Sequence, residues 1–539
     1  MPKTLSERML VSGDEAVAAA ALDCGIGLGA GYPGTPSSEI LEGLSALGGP
    51  AEWAPNEKVA LEVALGAAFG GARALATMKH VGLNVAADPL FTAAYTGMAG
   101  ALIVVSADDP GMSSSQNEQD NRRYALAAGV PMLEPSGAQE AYDFFFSAIE
   151  ISERWKIPVL FRMTTRVCHS KSILQRSAHK LPPVKLGFEH DRRARVMVPG
   201  NARPAHRRLR AKLAEIAEWN ETSPLNTVIE GGKEIGIVTS GVGFLHVREA
   251  APEAGVLKLG MTYPLPIGKI RAFAQSVQRL VAIEEGDPYL VESLRTAGIP
   301  VEGKPEMYRF DELTVGRVRR ILAHDVSPEP APLPGKPPAL CVGCPHRRTF
   351  EVLNKMDLIV SGDIGCYTLG VLPPFNAMDS CVCMGASIGV GLGLRHVLPE
   401  EQARRVVSVI GDSTFVHSGL TGLAEMVYNP PKTGHVVIIL DNGTTAMTGL
   451  QDHPGTGYTL ADAPTTRMNF EAVGAAMGIS SVHTLGQKTT PEDLENLLRS
   501  SLASNDLTLI VVRNPCLLAA KKINARSKVT QPVSAETQG

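Results

Sequence analysis

Aromatic residues are scarce in this chain, at 5% of its 539 residues, and charge of one sign barely prevails. The formal net charge of −4 offers no basic surface of the kind that nucleic acids or acidic membranes attract. Apolar runs are short: residues 406–410 and 436–440 have the length of buried strands, so we expect no membrane span. The first ten residues, MPKTLSERML, place no apolar run behind their charges, so we expect no signal peptide and a cytoplasmic location.

Glycine, in contrast, is abundant, with 53 residues, which suits tight turns between strands and helices. Short apolar strands alternate with Ala/Gly-rich helical segments over residues 10–170. The same alternation recurs over residues 234–322 and 339–518. This pattern predicts an α/β fold of three consecutive modules, each built on a parallel sheet.

Composition shifts mark the expected boundaries between these modules. Basic clusters and a Pro-Pro pair interrupt the pattern after residue 170, and one polar helix is expected near residues 203–219. The predicted organisation is a first module over 1–185, a linker with a surface helix over 186–230, a second module over 231–326, a Pro-rich linker over 327–338, a third module over 339–520 and a disordered tail over 521–539.

Two strands of the third module end in polar residues. VVSVIGDSTF places Asp412 after one strand, and HVVIILDNGTT places Asn442 after the next. The carboxyl ends of parallel strands share one edge of the sheet, where ligands bind. Asp412, Asn442 and a backbone carbonyl near Thr444 would offer three hard oxygen ligands, which suit Mg²⁺ together with phosphate oxygens.

This pair of strand ends resembles the thiamine-diphosphate signature, Gly-Asp-Gly followed by Asn-Asn. Gly411 and Asp412 match its start; Ser413 and Asp441 replace two of its residues without removing an expected ligand, and 27 residues lie between them. Taken alone, the pattern fits equally well two ordinary strand ends with turn-forming Asp and Asn.

Two further glycine-rich segments favour the cofactor interpretation. GDIGC contributes Gly362, Asp363 and Gly365, and CMGASIG opens an Ala/Gly-rich helix at Met384 and Gly385. Thiamine enzymes usually place a bulky apolar residue before such a helix to hold the cofactor bent, and Met384 has that position. A plain core methionine is the alternative.

Thiamine also needs a carboxylate against the N1′ atom of its aminopyrimidine ring, so that the imino tautomer can form. Asn56-Glu57 opens an Ala/Gly-rich helix in the first module, and Glu57 is the candidate. Glu62 is the next candidate, but it lies on a different helix face. An acid at a helix N-terminus can also simply interact with the helix dipole.

Nine segments together resemble the indolepyruvate:ferredoxin oxidoreductase family, in the family's order and across residues 10–518. They are GYPGTPSSEI, EWAPNEKVALEVALGAA, MKHVGLNVAADP, SSQNEQDNR, CVGCPHR, GDIGCYTLG, CMGASIG, GDSTFVHSG and LDNGTTAMTG. The resemblance implies that Glu57 is the activating acid and that Thr35 touches the substrate carboxylate or the cofactor. It also implies that Arg122, or its neighbour Arg123, pairs with the substrate carboxylate. Lys79 and His80 are further polar active-site candidates.

Four of the eight cysteines form a candidate iron–sulfur site. Cys341 and Cys344 make a C-x2-C pair, Cys366 lies in GDIGC, and Cys516 follows the strand 507–512. Spacing alone suits structural zinc equally well, with His346 as a further ligand. The position of Cys366, in a turn expected to touch the diphosphate, favours a 4Fe–4S cluster, and the related oxidoreductases hold their proximal cluster with this pattern. The other cysteines, Cys24, Cys168, Cys381 and Cys383, are interpreted as small core residues.

The resemblance implies oxidative decarboxylation of a 2-oxoacid, an arylpyruvate such as indolepyruvate or phenylpyruvate, to its acyl-CoA. The cofactors would be thiamine diphosphate, Mg²⁺ and one 4Fe–4S cluster, with CoA as cosubstrate. The partners would be a smaller subunit, in a heterotetramer with two copies of this chain, and an electron acceptor. Family members commonly continue into a ferredoxin-like domain, whereas no cysteine follows Cys516 here. The rival hypotheses are a redox-free thiamine decarboxylase and a non-catalytic scaffold subunit.

Overall fold

Three mainly parallel sheets, flanked by helices, and a fourth, two-stranded antiparallel sheet of residues 8–11 and 172–175 organise the chain in this computed structural model, which describes residues 8–330 and 338–529. The α/β fold class expected from the sequence is confirmed. The chain divides into two compact units, Met1–Ala331 and Pro332–Gly539, and the division falls inside the expected Pro-rich linker. Among the described residues, no helix combines the length and the apolar character needed to cross a bilayer.

The first unit begins with eight strands and eight helices. The strands are β1 (Arg8–Val11), β2 (Leu28–Gly31), β3 (Ala51–Trp53), β4 (Arg73–Lys79), β5 (Ala101–Asp108), β6 (Met132–Leu133), β7 (Val159–Thr164) and β8 (Ser172–Gln175). The helices are α1 (Gly13–Asp23), α2 (Ser38–Ala46), α3 (Glu57–Phe69), α4 (His80–Val85), α5 (Ala87–Thr96), α6 (Arg122–Ala128), α7 (Ala138–Trp155) and α8 (Thr165–His169).

The rest of this unit contains the expected surface helix and a second sheet. The helices are α9 (Arg192–Arg195), α10 (Pro199–Thr222), α11 (Gly243–Ala250), α12 (Ile267–Gln275), α13 (Tyr289–Thr296) and α14 (Val315–Leu322), with a 3₁₀ turn at Glu306–Arg309. The strands are β9 (Thr227–Ile229), β10 (Gly232–Ser240), β11 (Ala254–Leu259), β12 (Met261–Tyr263) and β13 (Arg279–Ile283).

One strand of the second module joins the sheet of the first. The large sheet has the order β12-β6-β7-β5-β4-β2-β3, with β12 antiparallel to β6 and the other neighbours parallel. The smaller sheet has the order β13-β10-β11-β9, with β9 antiparallel. The sequence pattern did not indicate that β12 joins the larger sheet, because a three-residue strand carries no periodicity of its own.

The second unit is a five-stranded parallel sheet of order β14-β15-β16-β18-β17. Its strands are β14 (Ile359–Ser361), β15 (Val406–Gly411), β16 (His435–Asp441), β17 (Ser481–Leu485) and β18 (Leu507–Arg513). Its helices are α15 (His346–Lys355), α16 (Ala386–Val397), α17 (Glu400–Ala403), α18 (Asp412–Thr414), α19 (Leu420–Tyr428), α20 (Phe470–Ala476), α21 (Pro491–Ala503) and α22 (Ala520–Val529), with a 3₁₀ turn at Cys366–Val371 and a π-helical turn at Phe415–Gly419.

Apolar residues on both faces bury this sheet, as the continuous apolar strands require. Val409 and Ile438 pack on the face that α15 and α21 cover, whereas Ile410 and Ile439 pack on the face of α16, α19 and α20. The residues that follow the strands at their carboxyl ends, Asp412 and Asn442, are polar and buried.

The disordered tail predicted for residues 521–539 is wrong for its first half. Residues 520–529 form α22, and residues 530–539 lie outside the described part of the chain. Lys522 Nζ and a guanidinium nitrogen of Arg526 lie 2.9 and 2.8 Å from the carboxylate of Asp452. The Arg526 guanidinium also stacks over the ring of Tyr458, 3.9 Å from its centroid. Both cations therefore pair with Asp452, and these ion pairs fix the polar segment as a helix.

Candidate functional site

The parallel pairing of β15 with β16 brings two predicted ligands to one edge of the sheet. Gly411 pairs with Leu440, so Asp412 and Asn442 follow at neighbouring strand ends. Asp412 is buried, and its carboxylate accepts hydrogen bonds from the backbone N–H groups of Ser413 (2.9 Å) and Gly443 (2.8 Å). These bonds fix the carboxylate at the point where both strands end.

His453 is a neighbour of Asp412 that the sequence analysis missed. Its Nε2 lies 3.3 Å from Oδ2 of Asp412, and its Nδ1 accepts a hydrogen bond from the N–H of Gly455. The proton of a neutral His453 therefore resides on Nε2, facing the carboxylate. Burial alone would raise the pKa of Asp412, but His453 and the backbone donors hold it below its ordinary value.

Asn442 is oriented by a second buried histidine. Its Nδ2 lies 3.4 Å from Nε2 of His346, and its Oδ1 accepts the backbone N–H of Thr444 at 3.0 Å. Burial lowers the pKa of His346 to about 4, so this ring is neutral and can accept the amide hydrogen. His346 therefore faces the predicted magnesium residues, not a zinc ion among the cysteines.

Two glycines of this edge lie where no Cβ fits. A Cβ on Gly385, which has φ of +87°, would lie 2.5 Å from Cβ of Ser418. A Cβ on Gly411 would lie 2.6 Å from Cε1 of Tyr367. The backbone at both positions therefore packs directly against these two side chains, which only glycine allows. The other predicted residues of this region occupy the adjoining turns: Gly362, Gly365, half-buried Met384 and buried Ser413.

The structure gives Asp363 a different role from the predicted cofactor contact. Its fully buried carboxylate accepts backbone N–H bonds from Ile364 and Gly385, both at 2.9 Å, and from Ser387 at 3.0 Å. Burial raises its pKa. Asp363 thus holds the turn that begins α16, and it positions the glycine turn instead of facing the edge itself.

The four predicted cluster cysteines come together beside this edge. Cys341 and Cys344 precede α15, and Cys366 opens the 3₁₀ turn. The N–H of Cys516 donates to the backbone oxygen of Asn442 at 2.9 Å, which returns the chain after β18 to the predicted magnesium residues. Burial first, and then the other three cysteines, raise the pKa of Cys366 to about 11.

Four thiolates are the ligand number of a 4Fe–4S cluster and also of a tetrahedral zinc ion. Of the other cysteines, Cys24 and Cys168 are buried as expected, but Cys381 is half-buried and Cys383 is exposed, so the core interpretation is wrong for Cys383.

In the first unit, Glu57 opens α3 and is buried, with 5% of its surface exposed. Asn56 caps this helix by accepting the N–H of Val59 at 2.9 Å. A Cβ on Gly82, in α4, would lie 2.6 Å from Oε1 of Glu57, so the carboxylate fits against α4 only because residue 82 has no side chain. Glu57 is therefore a buried carboxylate packed against a neighbouring helix, and not an exposed acid at a helix N-terminus.

The other candidates of this unit lie at the start of α4 and in the turn before α2. Lys79 donates to the carbonyl of Ser114 at 2.6 Å, and burial lowers its pKa. His80 is fully buried, its Nε2 lies 3.1 Å from the carbonyl oxygen of Asn117, and burial lowers its pKa too. Thr35 is half-buried between β2 and α2.

Arg122 has own-chain partners, which argues against the predicted contact with a substrate carboxylate. Its guanidinium, 1% exposed, binds the carboxylates of Asp120 and Glu284. It also donates to the carbonyl oxygens of Glu285 (2.7 Å) and Asp287 (2.9 Å). The side chain of Arg122 is therefore enclosed by its own chain, and it connects the start of α6 to the residues that follow β13. Arg123 is exposed and pairs with Glu292.

Two family models match the chain. The thiamine pyrophosphate enzyme C-terminal TPP binding domain matches residues 363–512, which contain Asp412 and Asn442. The thiamine-diphosphate-binding domain of pyruvate flavodoxin/ferredoxin oxidoreductases matches residues 19–209, which contain Glu57. The expected first and third modules therefore each match a thiamine-diphosphate-binding family.

Curated relatives extend this similarity over nearly the full length. The indolepyruvate oxidoreductase subunit IorA of Methanothermobacter marburgensis is 39% identical over 96% of this chain and 88% of its own length. The Pyrococcus abyssi subunit IorA is 39% identical over 95% and 86%. A solved 2-oxoglutarate:ferredoxin oxidoreductase from Magnetococcus marinus shares the fold, with a TM-score of 0.51 and 16% identity over 60% of this chain and 66% of that one.

Proposed function

Because this chain belongs to the family of indolepyruvate oxidoreductase IorA subunits, we propose that it oxidatively decarboxylates an arylpyruvate such as indolepyruvate or phenylpyruvate. The chain is a thiamine-diphosphate-dependent 2-oxoacid oxidoreductase. In the proposed reaction the bond between C1 and C2 breaks, CO₂ leaves, and the acyl carbon joins the sulfur of CoA. Two electrons pass to an acceptor, and the thiol proton is released.

We propose that Asp412, Asn442 and the carbonyl of Thr444 hold Mg²⁺, which in turn holds the diphosphate. The fixed carboxylate and amide at adjacent strand ends are hard oxygen donors, as Mg²⁺ prefers. Gly385 and Gly411 let the backbone of this edge pack directly against Ser418 and Tyr367, which a residue with a Cβ could not do. When bound, thiamine diphosphate supplies the carbon that stabilises the negative charge left by decarboxylation.

Glu57 is proposed to hold a proton against N1′ of the aminopyrimidine ring. Its burial supports this role, because a hydrogen bond between a carboxyl group and a ring nitrogen is stronger away from water. The carboxylate packs against Gly82, where a side chain would displace it. Thr35 and His80 are proposed to contact the substrate or the cofactor, as polar groups of the same unit.

The observation that favours redox chemistry is the hydrogen bond between Cys516 and Asn442. Through this bond, the backbone of a predicted cluster ligand contacts the backbone of a predicted magnesium ligand. We propose that Cys341, Cys344, Cys366 and Cys516 hold one 4Fe–4S cluster, which accepts electrons one at a time beside the diphosphate.

We further propose that two copies of this chain assemble with two smaller subunits, which help to bind CoA, and pass electrons to an acceptor protein. The relatives are named as subunits of an indolepyruvate oxidoreductase, which supports a multi-subunit enzyme. Light scattering of the co-expressed subunits should give a mass close to two of each chain. A fully active monomer of this chain without a second polypeptide would contradict the assembly.

The reaction is tested by anaerobic reduction of a dye with a panel of 2-oxoacids, with and without CoA. We expect arylpyruvates to give the highest rate, reduction to depend on added oxoacid, and an acyl-CoA product. Release of CO₂ and an aldehyde without dye reduction would favour a redox-free decarboxylase. Absence of any turnover by the complete, cofactor-loaded complex would favour a scaffold subunit.

A further inference from the structure

Asp14 is a buried acid that the proposed reaction does not use. It lies in the first turn of α1, fully buried, and among the described residues no N–H or O–H group hydrogen-bonds to either carboxylate oxygen. The thiol of Cys168 lies against it and is a weak donor. A buried carboxylate without strong donors is costly, so its position requires another positive or protic partner.

Two further ligand groups face the same point from other elements. Glu39 comes from the first turn of α2 and His169 from the end of α8, and one ligand atom of each lies within 4.8 Å of the others and of Asp14. The Nε2 of His169 is 4.0 Å from Oε1 of Glu39. The side chains of His169 and Glu39 are 41% and 47% exposed, so an ion could enter from solvent.

We propose that Asp14, Glu39 and His169 form a binding site for a divalent transition-metal ion, with Zn²⁺ as the best fit. One imidazole and two carboxylates are ordinary zinc ligands, and Mg²⁺ or Ca²⁺ would favour oxygen donors alone. The cation would neutralise two acids, of which, among the described residues, Glu39 pairs with His169 and Asp14 pairs with no basic side chain. The sulfur of Cys168 lies against Asp14 and offers a fourth ligand.

The charges around Asp14 agree with a missing cation. Burial first, and then the neighbouring Glu39, raise the pKa of Asp14 well above its ordinary value. A cation bound beside the carboxylate would favour its ionised form.

The site would join the beginnings of α1 and α2 to the end of α8. Since α2 follows directly after the turn that carries Thr35, the ion would restrain the position of that turn. Its role would be structural, and it lies in a different unit from the four cluster cysteines.

The test is zinc binding by the anaerobic holoenzyme, measured by competition with a chelating dye and by metal analysis after dialysis. Glu39→Gln and His169→Gln change exposed side chains and should fold. We expect the parent to hold one zinc ion per chain that each variant binds at least about 10-fold more weakly, as loss of a ligand implies. Glu42→Gln, on the same helix, and His179→Gln are the matched controls and should bind like the parent.

Iron content is measured in the same samples, because zinc could also enter the cysteine site. Equal zinc affinity in the parent, Glu39→Gln and His169→Gln would overturn the proposal. A zinc content that rises as iron is lost, and that is the same in the parent, Glu39→Gln and His169→Gln, would also overturn it. The outcome does not depend on catalytic turnover, so it is separate from the fate of the proposed reaction.

Discussion

The carboxylate of Glu57 occupies the space that a side chain at Gly82 would fill. A Cβ at position 82 would lie 2.6 Å from Oε1 and 2.7 Å from Cγ of Glu57, closer than atoms pack. The start of α3 and the first turn of α4 are therefore fitted to each other around one buried acid. This relationship gives the proposed activating acid a definite position.

Gly82→Ala should displace Glu57 and slow proton exchange at C2 of bound thiamine diphosphate by about 10- to 100-fold, because small misplacements of catalytic groups are costly. Gly66→Ala is the control: residue 66 lies in α3, and its added Cβ meets nothing within 4 Å. That variant should exchange like the parent. Exchange measured by NMR at the parent rate in Gly82→Ala would contradict the proposed role of this contact.

Asp412→Ala should abolish binding of thiamine diphosphate, since the change removes the anionic ligand proposed for Mg²⁺. Asp506→Ala, at the opposite end of the same sheet before β18, should bind the cofactor normally. Isothermal titration with Mg²⁺ and thiamine diphosphate measures both. Retention of full cofactor occupancy in Asp412→Ala would remove Asp412 from the site.

Cys516→Ser should lose the cluster or make it labile, while C2 exchange persists. Iron and acid-labile sulfide of anaerobically purified protein should be about four of each per chain in the parent. Cys383→Ser, an exposed cysteine of the same unit, should keep that content. Zinc in place of iron, or iron near twelve per chain, would show that the cysteine assignment is wrong.

Arg122→Ala should destabilise the first unit by about 3–5 kcal/mol, because it leaves Glu284 buried without its cation and Asp120 with only the more distant Arg162. Arg123→Ala should change stability by less than about 1 kcal/mol, since its pair with Glu292 is exposed. Denaturant unfolding of both variants gives the comparison. A stable Arg122→Ala protein with only a raised KM for the oxoacid would restore the substrate-binding role expected from the sequence.

Strand ends could be read from the sequence because their signal is local. The apolar runs before Asp412 and Asn442 are continuous, and both become buried neighbouring strands whose ends carry the polar residues. Parallel sheets place such ends at one edge by geometry alone. The same reasoning brought Cys516 back to that edge after β18.

Contacts between distant residues could not be read in this way. Arg122 resembled a substrate ligand until its partner Glu284, 162 residues away, was known. His453 lies in a loop with no strand or helix pattern, and only the fold brings it to Asp412. The charges of Lys522 and Arg526 suggested a disordered tail, but Asp452 lies in an earlier loop and holds them.

The measurement that tests the account most directly is C2 proton exchange in Glu57→Gln, with cofactor occupancy determined on the same sample. Glu62→Gln is the control, because Glu62 lies on the same helix, is 43% exposed and pairs with Lys58. The account predicts that Glu57→Gln binds thiamine diphosphate fully but exchanges its C2 proton at least about 100-fold more slowly, in the range of general acid–base effects. Exchange at the parent rate with full occupancy would contradict it.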